Sequence, residues 1–151
     1  MDWGKLDLAA DRWTAFIETW EFQEEDLTDA TFAMQVRLIK DASGAPLVDL
    51  ATVVSSSSEG VRLIYGGTDT VANHITAGRI DAAPDGYEAT DSLALSLLGV
   101  RINETTMEGL PLPAERGDDL NLEWDLHITP SGGLKQKYLG GTFTVRAGAT
   151  E

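Results

Sequence analysis

The residues of this chain that could do chemistry gather in one stretch, "DDLNLEWDLHIT", where Glu123, Asp125 and His127 recur at every second position. Carboxylates and an imidazole on one face are the groups that general acid/base catalysis or metal binding uses. Asp119 and Asn121 extend the row and make it oxygen-rich, as a site for a hard cation is. Each possibility makes a demand on the rest of the sequence. Zinc would need both histidines together with carboxylates, yet His74 falls on a different expected strand and neither histidine sits in an H-E-x-x-H arrangement. A calcium loop would need Gly at its sixth position, where counting from Asp119 gives Trp124. Leucines fill the gaps, so the backbone is expected to be extended, with same-face residues about 6.8 Å apart, too spread to wrap one ion unaided. A metal-dependent hydrolase centred on Asp119, Glu123, Asp125 and His127 is therefore the least favoured function.

Other catalytic signatures are missing from the sequence. Ser55 to Ser58 form a polar loop without the G-x-S-x-G elbow of a serine nucleophile. The glycine pairs 66 and 67, 132 and 133, and 140 and 141 lack the Lys and Ser or Thr of a phosphate loop and read as turn or bulge glycines. Asn103-Glu104-Thr105 matches a glycosylation acceptor, but no secretory signal gives it context. The expectation is a non-enzymatic protein with no catalytic residues, cofactor or metal. Glu123, Asp125 and His127 then become the polar face of a strand and candidate partner contacts.

The alternate set, Leu122, Trp124, Leu126 and Ile128, is wholly apolar, so the stretch reads as a half-buried β-strand. Similar alternation runs through "RWTAFIETWEF", with Phe16, Glu18, Trp20 and Phe22 on one face, and through Thr31 to Ile39, with Phe32, Met34, Val36 and Leu38. "LVDLATVV", "GVRLIY", "VANHITAGRI", Leu93 to Ile102 and Leu134 to Val145 complete the expected strands, with "GGTDT" as a hairpin turn and Gly140-Gly141 as a bulge or bend. One helical turn is expected where Thr105 and Glu108 form a capping-box pattern stopped by Gly109. Short strands separated by Gly, Pro, Asn and Asp turns predict an all-β, antiparallel sandwich with at most one short helical turn, a partly closed barrel being the alternative. Trp13, Trp20, Phe32, Val36, Trp124, Leu126 and Phe143 are the candidate core anchors.

Bulk properties narrow the partners. The chain has 151 residues, 42% of them apolar, which suits one domain with a packed core, and no run reaches the roughly 18 apolar residues of a membrane helix. No basic segment followed by an apolar core opens the sequence, so export by a signal peptide is not expected. The absence of cysteine removes disulfides and thiolate chemistry. A formal net charge of −14 repels phosphate backbones and anionic lipid, so nucleic acid and membranes are poor partners. Residues 1–12, "MDWGKLDLAADR", carry Trp3, Leu6 and Leu8 outside any strong strand signal. They read as an N-terminal arm that either orders on a neighbouring subunit or folds back on the domain formed by residues 13–151.

"DLTDATFAMQVR" followed by "GAPLVDL", then "EWDLHIT", "YLGGTFTV" and a final "GAT", resembles small structural proteins of tailed phages and prophages. In that family a DLTG-like turn precedes an alternating strand ending in Arg, and a W/Y-D-L strand precedes a closing Gly-x-F-x-V strand. The pattern is similar to the immunoglobulin-like N-terminal domains of baseplate and tail-fibre adaptor proteins. It covers about Trp13 to Thr150, with extra material between Gly66 and Glu115, and Asp29 stands where the family commonly has Gly. The resemblance implies an immunoglobulin-like sandwich in the virion tail, made in the host cytoplasm and partnered by other tail proteins in a symmetric assembly. A neck, collar or head-decoration protein is a variant of this reading. A carbohydrate-binding module that meets a host glycan through Tyr65 or Tyr87 is the rival of a different class.

Overall fold

The structure, a computed structural model, describes residues 4–39, 44–113, 115 and 117–146. Two sheets face each other. The larger has six strands: β1 (Gly4–Lys5), β2 (Leu8–Asp11), β4 (Thr31–Arg37), β5 (Val48–Ala51), β8 (Leu120–Thr129) and β9 (Gln136–Arg146). Their order is β1-β9-β8-β4-β5, with β2 following β1 along the same edge of β9. The smaller sheet has three strands in the order β3-β7-β6, from β3 (Phe16–Gln23), β7 (Ser92–Ile102) and β6 (Gly60–Thr70). The described chain is thus an all-β sandwich. It differs from the fully antiparallel expectation at one edge, because β1 and β2 pair with β9 in parallel.

Period-two alternation fixes which side of each strand is buried. On β8 the residues Leu122, Trp124, Leu126 and Ile128 point inward, and on β4 so do Phe32, Met34 and Val36. Trp20 on β3 and Phe143 on β9 are also buried. Three aromatic pairs join the sheets across the core: Phe16 with Phe143 at 5.2 Å, Trp20 with Trp124 at 5.3 Å and Phe22 with Tyr138 at 6.3 Å between ring centroids. Such pairs add about 0.5–1.5 kcal/mol each beyond their area burial. At one end the acidic loop after β3 is clamped by buried Ser96, whose hydroxyl accepts from the Leu27 amide at 2.8 Å and donates to the Glu25 carbonyl at 2.9 Å. Beyond it the Asp29 backbone takes the left-handed conformation, φ 62°. Aspartate visits that region more readily than most residues with a Cβ, so the turn forms without a glycine.

Several expectations are corrected. Trp13 is not a core anchor: the chain turns between β2 and β3, and the ring is 42% exposed. Leu38 lies beyond the end of β4 and is exposed too. Of the two alternatives for the N-terminal arm, its described part follows the second: residues 4–11 fold back on the domain and complete the large sheet. Leu8 is consequently a core residue rather than a partner contact, and the Leu6 carbonyl accepts a hydrogen bond from Trp124 Nε1 at 2.9 Å. Trp3 lies outside the described residues. Gly141 makes this docking possible, because a Cβ there would collide with the Leu6 carbonyl oxygen. Gly140 and Gly141 therefore serve close approach, while the register shift in the β8–β9 pair falls between Leu126 and His127.

Two short helices are present where at most one was expected. α2 (Glu104–Glu108) coincides with the expected turn, but Asn103 rather than Thr105 is its N-cap and its side chain makes no capping bond. That side chain instead accepts from Arg101 Nε at 2.8 Å. α1 (Val71–Thr76) replaces the expected strand over "VANHITAGRI", starting where the Thr70 hydroxyl accepts from the Asn73 amide. "GGTDT" is no hairpin turn: Gly66 and Gly67 pair with Ser96 and Leu95 inside β6.

Candidate functional site

β8 lies between β4 and β9, so its outward side chains occupy the middle of the large sheet's outer face. The register surrounds them with specific neighbours. Glu123 stands between Arg37 and Thr142, Asp125 between Gln35 and Gly140, and His127 between Ala33 and Lys137. The structure thus brings Glu123, Asp125 and His127 together on one half-buried face and leaves Leu6 and Leu8 on a different edge.

The acids on this face are interleaved with cations and amides. His127 Nδ1 lies 3.4 Å from Asp125 Oδ1, longer than an ordinary N–H···O bond. That Asp125 oxygen is shielded from solvent and makes no hydrogen bond. Lys137 lies across Gly140, where a Cβ would meet its Cε at 2.9 Å and its Nζ at 3.3 Å, and Gly140 is the register partner of Asp125. Arg37 donates through Nη1 to the Gly44 carbonyl at 2.8 Å and through Nη2 to Gln35 Oε1 at 3.0 Å. Gln35 in turn lies 3.4 Å from Asp49 Oδ1. Asn121 Oδ1 accepts from the Thr144 hydroxyl at 2.9 Å. Among the described residues no group of three or more His, Asp or Glu side chains is placed to hold a metal ion. Chemically, this is a flat lattice of mixed charge that can contact water or another protein surface.

His74 sits on the far side of the molecule in a second, small core. α1 packs Val71 against Leu93 and Leu95 on the outer face of the small sheet, with Ile80 beside them and Tyr65 and Tyr87 at the rim. His74 is fully buried there, with Nε2 2.8 Å from the Leu93 carbonyl. Arg79 Nε donates to Nδ1 at 2.9 Å, so Nδ1 is the acceptor and the ring is the neutral tautomer with its proton on Nε2. The same guanidinium lies over the Tyr65 ring at 4.1 Å and pairs with Asp69 at 3.3 Å. Asp69 also accepts from Asn73 Nδ2 and the Thr70 amide, each at 2.8 Å, and these bonds hold its carboxyl below the usual range. Both ring nitrogens of His74 are engaged in holding α1 down, so it is a structural lock.

Sequence reasoning missed this cluster. The available signal was Thr70 three residues before Asn73, with Val71 and His74 at helical spacing. Its geometry also weighs on the glycan reading. Tyr65 has its face under Arg79 and its edge against His74. The Tyr87 hydroxyl donates to Glu24 at 2.6 Å, which raises the phenol above its ordinary value. Both tyrosines are occupied in packing the second core. No protein-family model matches the chain, and no curated protein matches it.

Proposed function

We propose that the protein is a non-enzymatic structural or adaptor component of a phage tail, at the tail tip, baseplate or fibre attachment, and that it acts through subunit contacts. The observation that carries this reading is the placement of the motifs behind the resemblance. "DATFAMQV" runs into β4, "EWDLHIT" lies on β8 and "YLGGTFTV" on β9, three neighbouring strands of one sheet. The motifs therefore supply one continuous surface, with the core on its inner side and the charge lattice around Glu123, Asp125 and His127 on its outer side. Acids alternating with Arg37 and Lys137 favour a partner of complementary pattern, since unlike charges fix register and like charges exclude wrong partners.

The test is complementation of a deletion by the variant Glu123→Lys/Thr142→Lys, which puts two cations in place of an acid and its neutral neighbour with substitutions that point away from the core. Far-UV circular dichroism and thermal melting are expected to match wild type. Incorporation into purified particles is expected to fall by about tenfold or more, as a few desolvated contacts dominate interfaces. Wild-type incorporation of this folded variant would exclude the outer face as the contact surface.

A further inference from the structure

The outer face of the small sheet is only half covered. Its Leu93–Leu95 end lies under α1, but the end near Gly99 carries a shallow groove of about 100 Å³. Two rows of the register form its floor: Ile17, Arg101 and Gly60, then Thr19, Gly99 and Arg62. Ile17 and Ile64 stand beside it 62% and 40% exposed, with Ile64 packed over Gly99, while Gly60 is buried against Ala51 and Val53. Arg62 lies across this floor, its Nη2 3.7 Å from where a Cβ on Gly99 would be. Arg62 makes no hydrogen bond or ion pair among the described residues. Arg101 uses Nε on the neutral Asn103 amide oxygen and has no carboxylate partner there. Glu59, in the adjoining loop, directs one carboxylate oxygen to the Asn103 amide.

Among the described residues, two arginines on neighbouring register rows, neither paired with a carboxylate, stand out in a chain of net charge −14. Their terminal N–H groups match carboxylates in charge and planar geometry. Ile17 and Ile64 give the groove aliphatic flanks, Ser55, Ser56 and Ser58 add hydroxyls and Glu18 an acid, and its lining holds no aromatic ring on which a sugar could stack. Beside the groove, β3 is the terminal strand of its sheet. Its outer edge offers backbone donors and acceptors to an extended chain. From these observations we infer that this groove docks an extended, acidic segment of a partner protein, with Arg62 and Arg101 receiving its carboxylates. The inference rests on the proposed role in subunit contacts and gives that role a second surface, on the opposite side from the β8 lattice.

The experiment is titration of the full-length, isotope-labelled protein with the hexapeptide Val-Glu-Val-Glu-Val-Glu, followed by amide chemical shifts. Its Gln counterpart and a glucuronate oligomer are run alongside. Shifts are expected to localise to Gly60, Arg62, Gly99 and Arg101, to vanish with the Gln peptide, and to weaken about tenfold in Arg62→Ala, which alters an outward side chain and leaves the core intact. Arg62→Glu should abolish them. Equal response to the Glu and Gln peptides, shifts confined elsewhere, or tighter arginine-dependent binding of the glucuronate oligomer would each overturn the proposal. Because binding is read on the isolated protein, its failure leaves a place in the particle intact, and absence from particles leaves the groove intact.

Discussion

Replacing Trp124 by alanine is expected to lower folding stability by about 3–5 kcal/mol, the range for deleting a large buried ring. Trp124 is 3% exposed, packs on Trp20 across the two sheets and holds the Leu6 carbonyl through its indole N–H. The variant therefore loses core volume, an inter-sheet aromatic contact and the bond that seats β1 beside β9. Trp124→Phe separates these effects: it keeps a ring in the core but removes the donor, with an expected cost of about 1 kcal/mol or more for the lost bond and volume. Urea unfolding followed by far-UV circular dichroism reads both variants. A Trp124→Ala midpoint indistinguishable from wild type would mean that the two sheets are not joined through this residue.

Arg12→Met is expected to cost about 2–3 kcal/mol. Arg12 is buried, and its two terminal nitrogens donate to the Leu110 carbonyl at 2.6 Å and the Pro111 carbonyl at 2.7 Å. Methionine fills similar volume and avoids desolvating a charge, which offsets part of the loss, but it leaves both carbonyls without this donor. Arg12→Lys should recover little, because one ammonium cannot reproduce the planar fork. Proton-exchange rates at the amides of Gly109, Leu110 and Leu112 are expected to rise in both variants, since the guanidinium is what ties the end of β2 to this loop. Unchanged stability and exchange would make Arg12 a passenger.

The fold was legible where a strand is buried on one side. β3, β4 and β8 alternate cleanly because one face meets the core and the other meets water. β7 blurred that signal for a physical reason. Leu98 and Val100 face the main core, while Leu93 and Leu95 face the second core on the opposite side. α1 was missed because so short a helix buries just Val71 and His74, two residues that also fit a strand. β2 signals only through Leu8 and Ala10, and its parallel partner lies at the other end of the sequence. Trp13 shows the converse limit: residue type suggests burial, but the turn after β2 decides exposure.

The polar row on β8 could be read from its spacing, whereas its surroundings could not. Arg37, Gln35 and Lys137 become neighbours of Glu123, Asp125 and His127 through the register of β4 and β9. Single-strand periodicity contains no register between strands, so an apparent row of acids became a mixed-charge lattice once the sheet was assembled. The Arg62–Arg101 groove was hidden for the same reason, since it exists only where β6 lies beside β7.

The most direct measurement is quantitative mass spectrometry of washed, purified tailed particles, combined with imaging of particles carrying a labelled copy of the protein. The proposed tail role predicts a fixed stoichiometry with the tail proteins and label density confined to the tail. Loss of the protein from particles that remain complete and infectious would contradict a structural role in the tail.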